Sequence, residues 1–167
     1  VVGYGFAGAA AAIEASDRGA SVLLIEKMPD PGGISICAGG GVRIARNADD
    51  AFAYLKATNA GATPDDILRV FADDLLTLGD YIRALARVSG ATPVVRDREA
   101  NYPLPGGHTF QFIEIDSIPG FDPLKAYPHA HARHSGPNLF KVLEDNIRER
   151  PIEVRLSTSA QRLITDA

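Results

Sequence analysis

The stretch that decides the fold is Val1-Val2-Gly3-Tyr4-Gly5-Phe6-Ala7-Gly8, at the start of the 167-residue chain. Its three glycines have the spacing G-x-G-x-x-G between the end of an apolar strand and an alanine-rich segment, which predicts a helix from about Phe6 to Arg18. The first glycine would allow a tight turn, the second would let a pyrophosphate reach the backbone, and the third would bring the helix close to the sheet. Since N–H groups at a helix N-terminus favour anions, the stretch predicts a cradle for a dinucleotide diphosphate.

A second apolar strand, Val22-Leu23-Leu24-Ile25, ends in Glu26, eighteen residues after Gly8. A carboxylate at this strand tip can accept hydrogen bonds from the hydroxyls of an adenosine ribose. Lys27 is the only cation nearby, so the sequence disfavours a 2′-phosphate. Glycines in a strand-to-helix turn can serve packing alone, but strand, helix, strand and acid follow here in the order that nucleotide binding requires.

A second glycine-rich segment, Gly32-Gly33-Ile34-Ser35-Ile36-Cys37-Ala38-Gly39-Gly40-Gly41, begins six residues after Glu26. An NAD enzyme of this architecture does not need a second loop of this kind. A flavin extends beyond its diphosphate into a ribityl chain and a broad ring, which the backbone must approach closely, so the segment favours FAD. Cys37 is the single cysteine, which excludes an internal disulfide, and we expect a small buried residue rather than a redox thiol.

Together the two glycine-rich segments resemble those of the FAD-binding subunits of fumarate reductases and succinate dehydrogenases. The resemblance is greatest to the soluble branch that includes 3-ketosteroid dehydrogenases and flavocytochrome c-type reductases. It implies a Rossmann-like FAD-binding domain of the α/β class over residues 1–167, with a parallel sheet and crossover helices. The chain would be an incomplete, N-terminal part, without the cap and C-terminal parts.

The resemblance also implies a function. The protein would be an FAD-dependent oxidoreductase that transfers hydride between the flavin and an activated C–C bond. Its partners would be a small-molecule substrate, either a dicarboxylate or a steroid-like compound, and an electron donor or acceptor. The alternatives are another FAD enzyme, such as an amine oxidase or monooxygenase, an NAD-dependent dehydrogenase, and a non-catalytic cofactor-binding fragment.

By the same resemblance, particular residues would bind the FAD. Ile34 stands where membrane-bound members carry a histidine joined covalently to the flavin, so we expect non-covalent FAD. The diphosphate would lie on Gly3, Gly5, Phe6, Ala7 and Gly8, the ribose on Glu26, and the adenine against the backbone of Ala160. The rest of the cofactor would be lined by Lys27, Gly32, Gly33, Ile34, Ser35, Ala38, Gly39, Gly40 and Gly41.

The catalytic acid or base is unknown at this stage, because the resemblance places it mostly in the missing parts. Among the tyrosines, Tyr54 and Tyr81 are predicted to pack within helices, whereas Tyr102 or Tyr127 is a candidate pocket residue.

Three histidines, His129, His131 and His134, form an H-x-H-x-x-H pattern that could suggest a transition metal. No carboxylate or cysteine with ligand spacing accompanies them, so we predict no metal site. Surface or cap-contacting histidines are the alternative, with His134 or Ser135 near the flavin.

The remaining chain is predicted from periodicity and capping signals. Region 91–136 contains six prolines and is predicted to be an irregular loop region with one strand at 109–115, where substrate binding would begin. The other predictions are a helix from Asn47 to about Asn59, a helix from Thr63-Pro64 to near Gly90, a helix from Ser135 to Arg150, and strands at 152–156 and 160–164. The middle helix would bury Ile67, Phe71, Leu75, Leu78, Ile82 and Leu85 on one face.

Composition excludes some classes of protein. The formal net charge is −4 and the pI is near 5.5, so there is no basic footprint for nucleic acid. No run approaches the eighteen apolar residues that a transmembrane segment needs. We expect a cytoplasmic protein.

Overall fold

A computed structural model describes residues 1–98, 100–128 and 135–164. Within these ranges the chain forms two sheets with helices packed around them. Short 3₁₀ helices cover Gly33–Cys37 and Gly107–Thr109. In chain order the other elements are α1 Phe6–Asp17, β1 Val22–Ile25, β2 Val42–Ala45, α2 Ala48–Asn59, α3 Asp65–Ala86, β3 Thr92–Asp97, β4 Phe110–Ser117, α4 Pro123–Ala126, α5 Gly136–Arg148 and β5 Ile152–Arg155.

The first sheet is parallel and carries the N-terminal glycine stretch. Strand β1 pairs with β5, with Val22 opposite Ile152, and Val2 forms a parallel bridge to Ile25 on the other side of β1. Within β1, Val22 and Leu24 are buried. Helix α1 packs on β1 and α5 packs on α1, so the predicted α/β fold with a parallel sheet and crossover helices is confirmed.

The second sheet is antiparallel, in the order β2-β4-β3, with Ile113 of β4 opposite Val42 on one side and Val95 on the other. Region 91–136 was predicted to contain one strand but also contains β3 and α4, so it is less irregular than predicted. Pro93 lies at a register shift near the start of an edge strand, where proline's missing N–H is tolerated.

Helix α3 begins at Asp65 with Pro64 as its N-cap, but the predicted buried face is wrong in its first half. Ile67 and Phe71 are 55% and 51% exposed, whereas Leu68 and Ala72 are buried. Helix α2 packs against this part of α3 and covers the neighbouring stripe. From Leu75 onward the predicted face is right, since Leu75, Ile82 and Leu85 are buried and Leu78 is half-buried.

Polar contacts fasten α5 to its neighbours. The side-chain amide of Asn146, which is 1% exposed, donates to the carbonyls of Leu85 in α3 (2.9 Å) and Val142 (2.8 Å). Arg150 donates to both carboxylate oxygens of Asp17, at the end of α1, at 2.7 and 2.9 Å. The apolar residues Leu139, Leu143 and Ile147 of α5 are buried.

Two further expectations fail. No strand follows β5 among the described residues, and Leu163 and Ile164 are exposed, because no neighbouring strand pairs with them there. Cys37 is exposed rather than buried. Of the helices that the structure describes, none is both long and apolar enough to cross a membrane.

Candidate cofactor-binding site

The first glycine loop, residues 3–8, is closely packed on itself. Gly3 has φ +93°, and its N–H donates to the carbonyl of Ile25 at 2.8 Å. A Cβ atom on Gly8 would lie 1.8 Å from the carbonyl oxygen of Gly3. The glycine at position 8 therefore lets the start of α1 lie directly against the turn that leaves the strand.

The N-terminus of α1 is arranged to accept an anion. Gly5 is the N-cap, and no side chain caps the helix there. The first turn of the helix contains no acidic residue. The N–H groups of Ala7 and Gly8 have no acceptor within the helix, and the helix dipole is positive here. Because Ala7 is exposed and Gly5 and Gly8 carry no side chain, a diphosphate could approach these N–H groups.

The second glycine loop, residues 32–41, contacts the first loop directly. The N–H of Gly32 donates to the carbonyl of Tyr4 at 2.7 Å. The N–H of Phe6 donates to the buried hydroxyl of Ser35 at 2.9 Å. A Cβ on Gly5 would lie 2.9 Å from that hydroxyl oxygen, so a side chain at position 5 would displace the Ser35 hydroxyl that joins the two loops.

Glu26 joins the strand tip to the first loop. Its carboxylate accepts the backbone N–H of Tyr4 at 2.8 Å and that of Met28 at 2.9 Å. Both bonds stabilise the charged carboxylate and so hold the pKa of Glu26 below its ordinary value, and the bond from Tyr4 has the larger effect. Each carboxylate oxygen has a second lone pair, so the half-buried carboxylate can still accept from ribose hydroxyls.

The chain after β5 runs beside Glu26. The N–H of Thr158 donates to the carbonyl of Glu26 at 2.8 Å, and that of Ser157 donates to the carbonyl of Met28 at 3.0 Å. Ala160 follows two residues later and is exposed, as is Lys27. The structure thus brings the predicted ribose and adenine residues to one edge of the parallel sheet.

A cavity of about 610 Å³ opens on the other side of the loops, and its volume is typical of a small-molecule site. We call it the glycine-loop cavity. Phe6, the first residue of α1, lines it and so connects it to the helix N-terminus. Its lining residues are Phe6, Ala38, Gly39, Gly40, Gly41, Val42, Arg98, Phe112, Glu114 and Leu139.

The cavity wall formed by the second glycine loop is held by α5. Gly40 has φ +71°, and a Cβ there would lie 2.2 Å from the backbone carbon of Ser135. A Cβ on Gly136 would lie 2.3 Å from the carbonyl oxygen of Ala38. By contrast, no atom of the described residues lies within 4 Å of the position that a Cβ on Gly39 would take, so residues 1–98, 100–128 and 135–164 leave that space open.

Some predicted residues lie away from this cavity. Ile34 is 84% exposed, and Gly33 lines a separate cavity with Cys37 and the segment Met28–Pro31. Conversely, sequence reasoning missed Phe112 and Glu114, which β4 places two residues apart on one face. Their alternation was a usable signal, but nothing in the sequence showed that β4 would face the glycine loop.

The candidate pocket tyrosines are not among the residues that line the glycine-loop cavity. Tyr102 is exposed in the loop at 100–108. Tyr127 packs on Phe121 and Phe140, and burial raises its pKa to about 12. Tyr54 is buried and Tyr81 is half-buried against the core, so their predicted packing is confirmed.

The histidine pattern at 129, 131 and 134 lies outside the described residues. Across the parts of the chain that the structure describes, no three or more His, Cys, Asp or Glu side chains are grouped so that they could hold a metal ion.

Comparisons with known proteins give the family. The profile of the FAD binding domain family matches residues 1–167, so the chain belongs to that family. Over 99% of its length the chain is 32% identical to a 3-oxo-5-alpha-steroid 4-dehydrogenase from Comamonas testosteroni, of which it covers 34%. It is 28% identical, again over 99% of its length, to a fumarate reductase (cytochrome) from Shewanella frigidimarina, of which it covers 27%. The chain therefore spans about a third or less of these relatives.

A solved structure confirms the fold. The 3-ketosteroid-Δ4-(5α)-dehydrogenase of Rhodococcus jostii RHA1 superposes on 99% of this chain with a TM-score of 0.75 and 16% identity, and the chain covers 38% of that structure. FAD is the cofactor that defines the family, and the contacting loops, the ionised acid and the cavity all fit it.

Proposed function

We propose that the protein is an FAD-dependent oxidoreductase that moves hydride between the flavin and an activated C–C bond of a small substrate. The observation that carries the proposal is the contact between the two glycine loops at the N-terminus of α1, beside a cavity of about 610 Å³. The names of the relatives, a steroid 4-dehydrogenase and a fumarate reductase, support chemistry of this class.

The chain's own residues would bind and orient the cofactor. The N–H groups of α1 would bind the diphosphate, and Glu26 would accept from the ribose hydroxyls. Phe6, Phe112 and Leu139 would exclude water from one end of the dinucleotide. The bound isoalloxazine would supply hydride transfer at N5.

The substrate would be a dicarboxylate or a steroid-like molecule, and a separate electron donor or acceptor would complete the reaction. In this proposal residues 1–167 form the FAD-binding domain. Non-covalent attachment is expected, since Ile34 stands at the position of the covalent histidine in membrane-bound members and is exposed.

The test is to purify the protein, record its visible spectrum, and assay it with fumarate and with a 3-ketosteroid. Bound flavin gives a yellow protein, and denaturation should release FAD if it is not covalently attached. A protein that binds FAD but turns over neither class of substrate would refute the proposed reaction. A colourless protein that takes up no added FAD would refute the cofactor assignment.

The ribose assignment has a separate test. Glu26→Ala should weaken FAD retention markedly while the helices remain intact. Glu153→Ala is the matched control, because Glu153 is exposed on the adjacent strand and pairs with Arg155. Equal FAD affinity in both variants would contradict the role of Glu26.

A further inference from the structure

Glu114 is an acidic side chain placed in the glycine-loop cavity by β4. One carboxylate oxygen, Oε2, accepts the Nε–H of Arg96 at 2.9 Å. The other, Oε1, lies 3.3 Å from the position that a Cβ on Gly41 would take. The side chain is only 23% exposed, so the carboxylate lies against the second glycine loop rather than in open solvent.

The neighbouring wall is fixed as well. The guanidinium of Arg43 stacks 3.9 Å from the ring centroid of Phe112, its cross-strand partner. Arg43 also donates to the carbonyl of Arg98 at 2.9 Å, which joins the far end of β3 to this wall. A Cβ on Gly41 would approach Phe112 Cδ1 to 3.0 Å, so the wall and the loop are in close contact. Phe112, two residues from Glu114 on the same face of β4, is therefore fixed against the loop.

The order in which the expected binding residues follow one another along the site indicates which end of FAD would reach Glu114. Glu26 and Ala160 mark the adenosine end, and the N-terminus of α1 marks the diphosphate. The glycine-loop cavity begins at Phe6 and so follows the diphosphate on the flavin side. A carboxylate can only accept hydrogen bonds, whereas the oxidised isoalloxazine edge has a single N–H, at N3, among atoms that otherwise accept.

We propose that Glu114 is a positioning residue that accepts a hydrogen bond from the N3–H of the flavin ring and so fixes the ring in the glycine-loop cavity. The proposal rests on the proposed function, since it needs FAD in this site. Arg96 is the supporting cation that orients the carboxylate.

The experiment measures the affinity of the purified apoprotein for FAD and for 3-methyl-FAD, whose N3 cannot donate. Loss of a hydrogen bond to a charged group weakens binding by about tenfold to a hundredfold. We expect the wild-type protein to bind 3-methyl-FAD more weakly than FAD by this factor. Glu114→Ala should bind FAD about tenfold more weakly and should no longer distinguish the two flavins. Quenching of flavin fluorescence reports both affinities without any substrate.

Asp116→Ala is the matched control. Asp116 also pairs with Arg96, at 3.3 Å, but it does not line the glycine-loop cavity, so this variant should behave as wild type. Three results would overturn the proposal: wild-type protein that binds both flavins equally, Glu114→Ala that retains full FAD affinity, or Glu114→Ala that still discriminates. Wild-type protein that binds neither flavin would instead refute the cofactor assignment.

Discussion

At the scale of the residue, Glu26 combines a structural contact with its expected role toward the cofactor. Its carboxylate closes the first glycine loop onto the strand tip through the N–H groups of Tyr4 and Met28. A conventional reading of the fingerprint assigns this acid to the ribose alone. The structure adds that the loop conformation depends on the acid even before a ligand is bound.

This double role predicts a pH-dependent contribution to stability. The pKa of Glu26 is lowered in the folded state, so its contribution is complete above its ordinary value of about 4.5 and is lost as pH falls through the lower folded-state pKa. Glu26→Gln should reduce the free energy of unfolding by about 1 kcal/mol at pH 7. Urea titrations at pH 7 and at acidic pH check this expectation. A difference between wild type and variant that does not narrow at acidic pH would contradict it.

Substitutions of glycines in the two loops should distinguish effects on thermal stability from effects on FAD affinity. Gly8→Ala places a Cβ 1.8 Å from the carbonyl oxygen of Gly3, so we expect lower thermal stability as well as loss of FAD. The added methyl group of Gly39→Ala meets no atom within 4 Å in the part of the chain that the structure describes, so its apoprotein should unfold at the wild-type temperature while FAD affinity falls. Thermal unfolding and flavin titration of both variants provide the measurements. Unchanged FAD affinity in Gly39→Ala would mean that the open space does not serve the cofactor.

At the scale of the element, helix α5 supports the second glycine loop and is joined to the helices α1 and α3. Its N-terminus packs on the second glycine loop through Gly136. Asn146 in its last turn bonds to α3, and Arg150, two residues after its end, bonds to α1. A shift of α5 would therefore move the loop that lines the glycine-loop cavity.

Asn146→Ala should test this dependence. The substitution removes the two hydrogen bonds that the buried side-chain amide donates to the carbonyls of Leu85 and Val142, which costs about 1–3 kcal/mol of unfolding free energy. Asn138→Ala is the comparison, because Asn138 bonds carbonyls from a half-buried position and should cost less. Denaturant unfolding measures both variants. If both variants lose the same free energy of unfolding, the buried hydrogen bonds of Asn146 stabilise the fold no more than the half-buried ones of Asn138.

The elements also show what the sequence can and cannot specify. The cap of α2 was predicted because it is local: Asn47 accepts the N–H of Asp50 within one turn. The buried face of α3 was predicted only from Leu75 onward, because the packing of α2 determines whether Leu68 or Ile67 is covered. Glu114 was missed for the same reason, since its place in the cavity depends on which strand lies opposite Gly41. Local signals fix the elements, whereas long-range packing fixes the cavity.

At the scale of the whole molecule, the proposed cofactor would connect parts that are distant in sequence. A ligand that binds only the folded state at 100 times its dissociation constant adds about 2.7 kcal/mol of stability. For a chain of this size we expect added FAD to raise the unfolding temperature by about 5–10 °C. ADP, which carries only the adenosine and diphosphate groups, should give a smaller rise. Differential scanning fluorimetry checks this, and an unchanged melting temperature with FAD would refute binding.

The pairing of β1 with β5 has a consequence for the order of folding. Strand β1 ends at Ile25 and its partner begins only at Ile152, so residues 1–155 must leave the ribosome before the parallel pair can form. The three-stranded antiparallel sheet and the first helices can assemble earlier from nearer segments. The nascent chain would then encounter free FAD only after its slowest contacts are made. FAD should therefore retard unfolding without accelerating refolding.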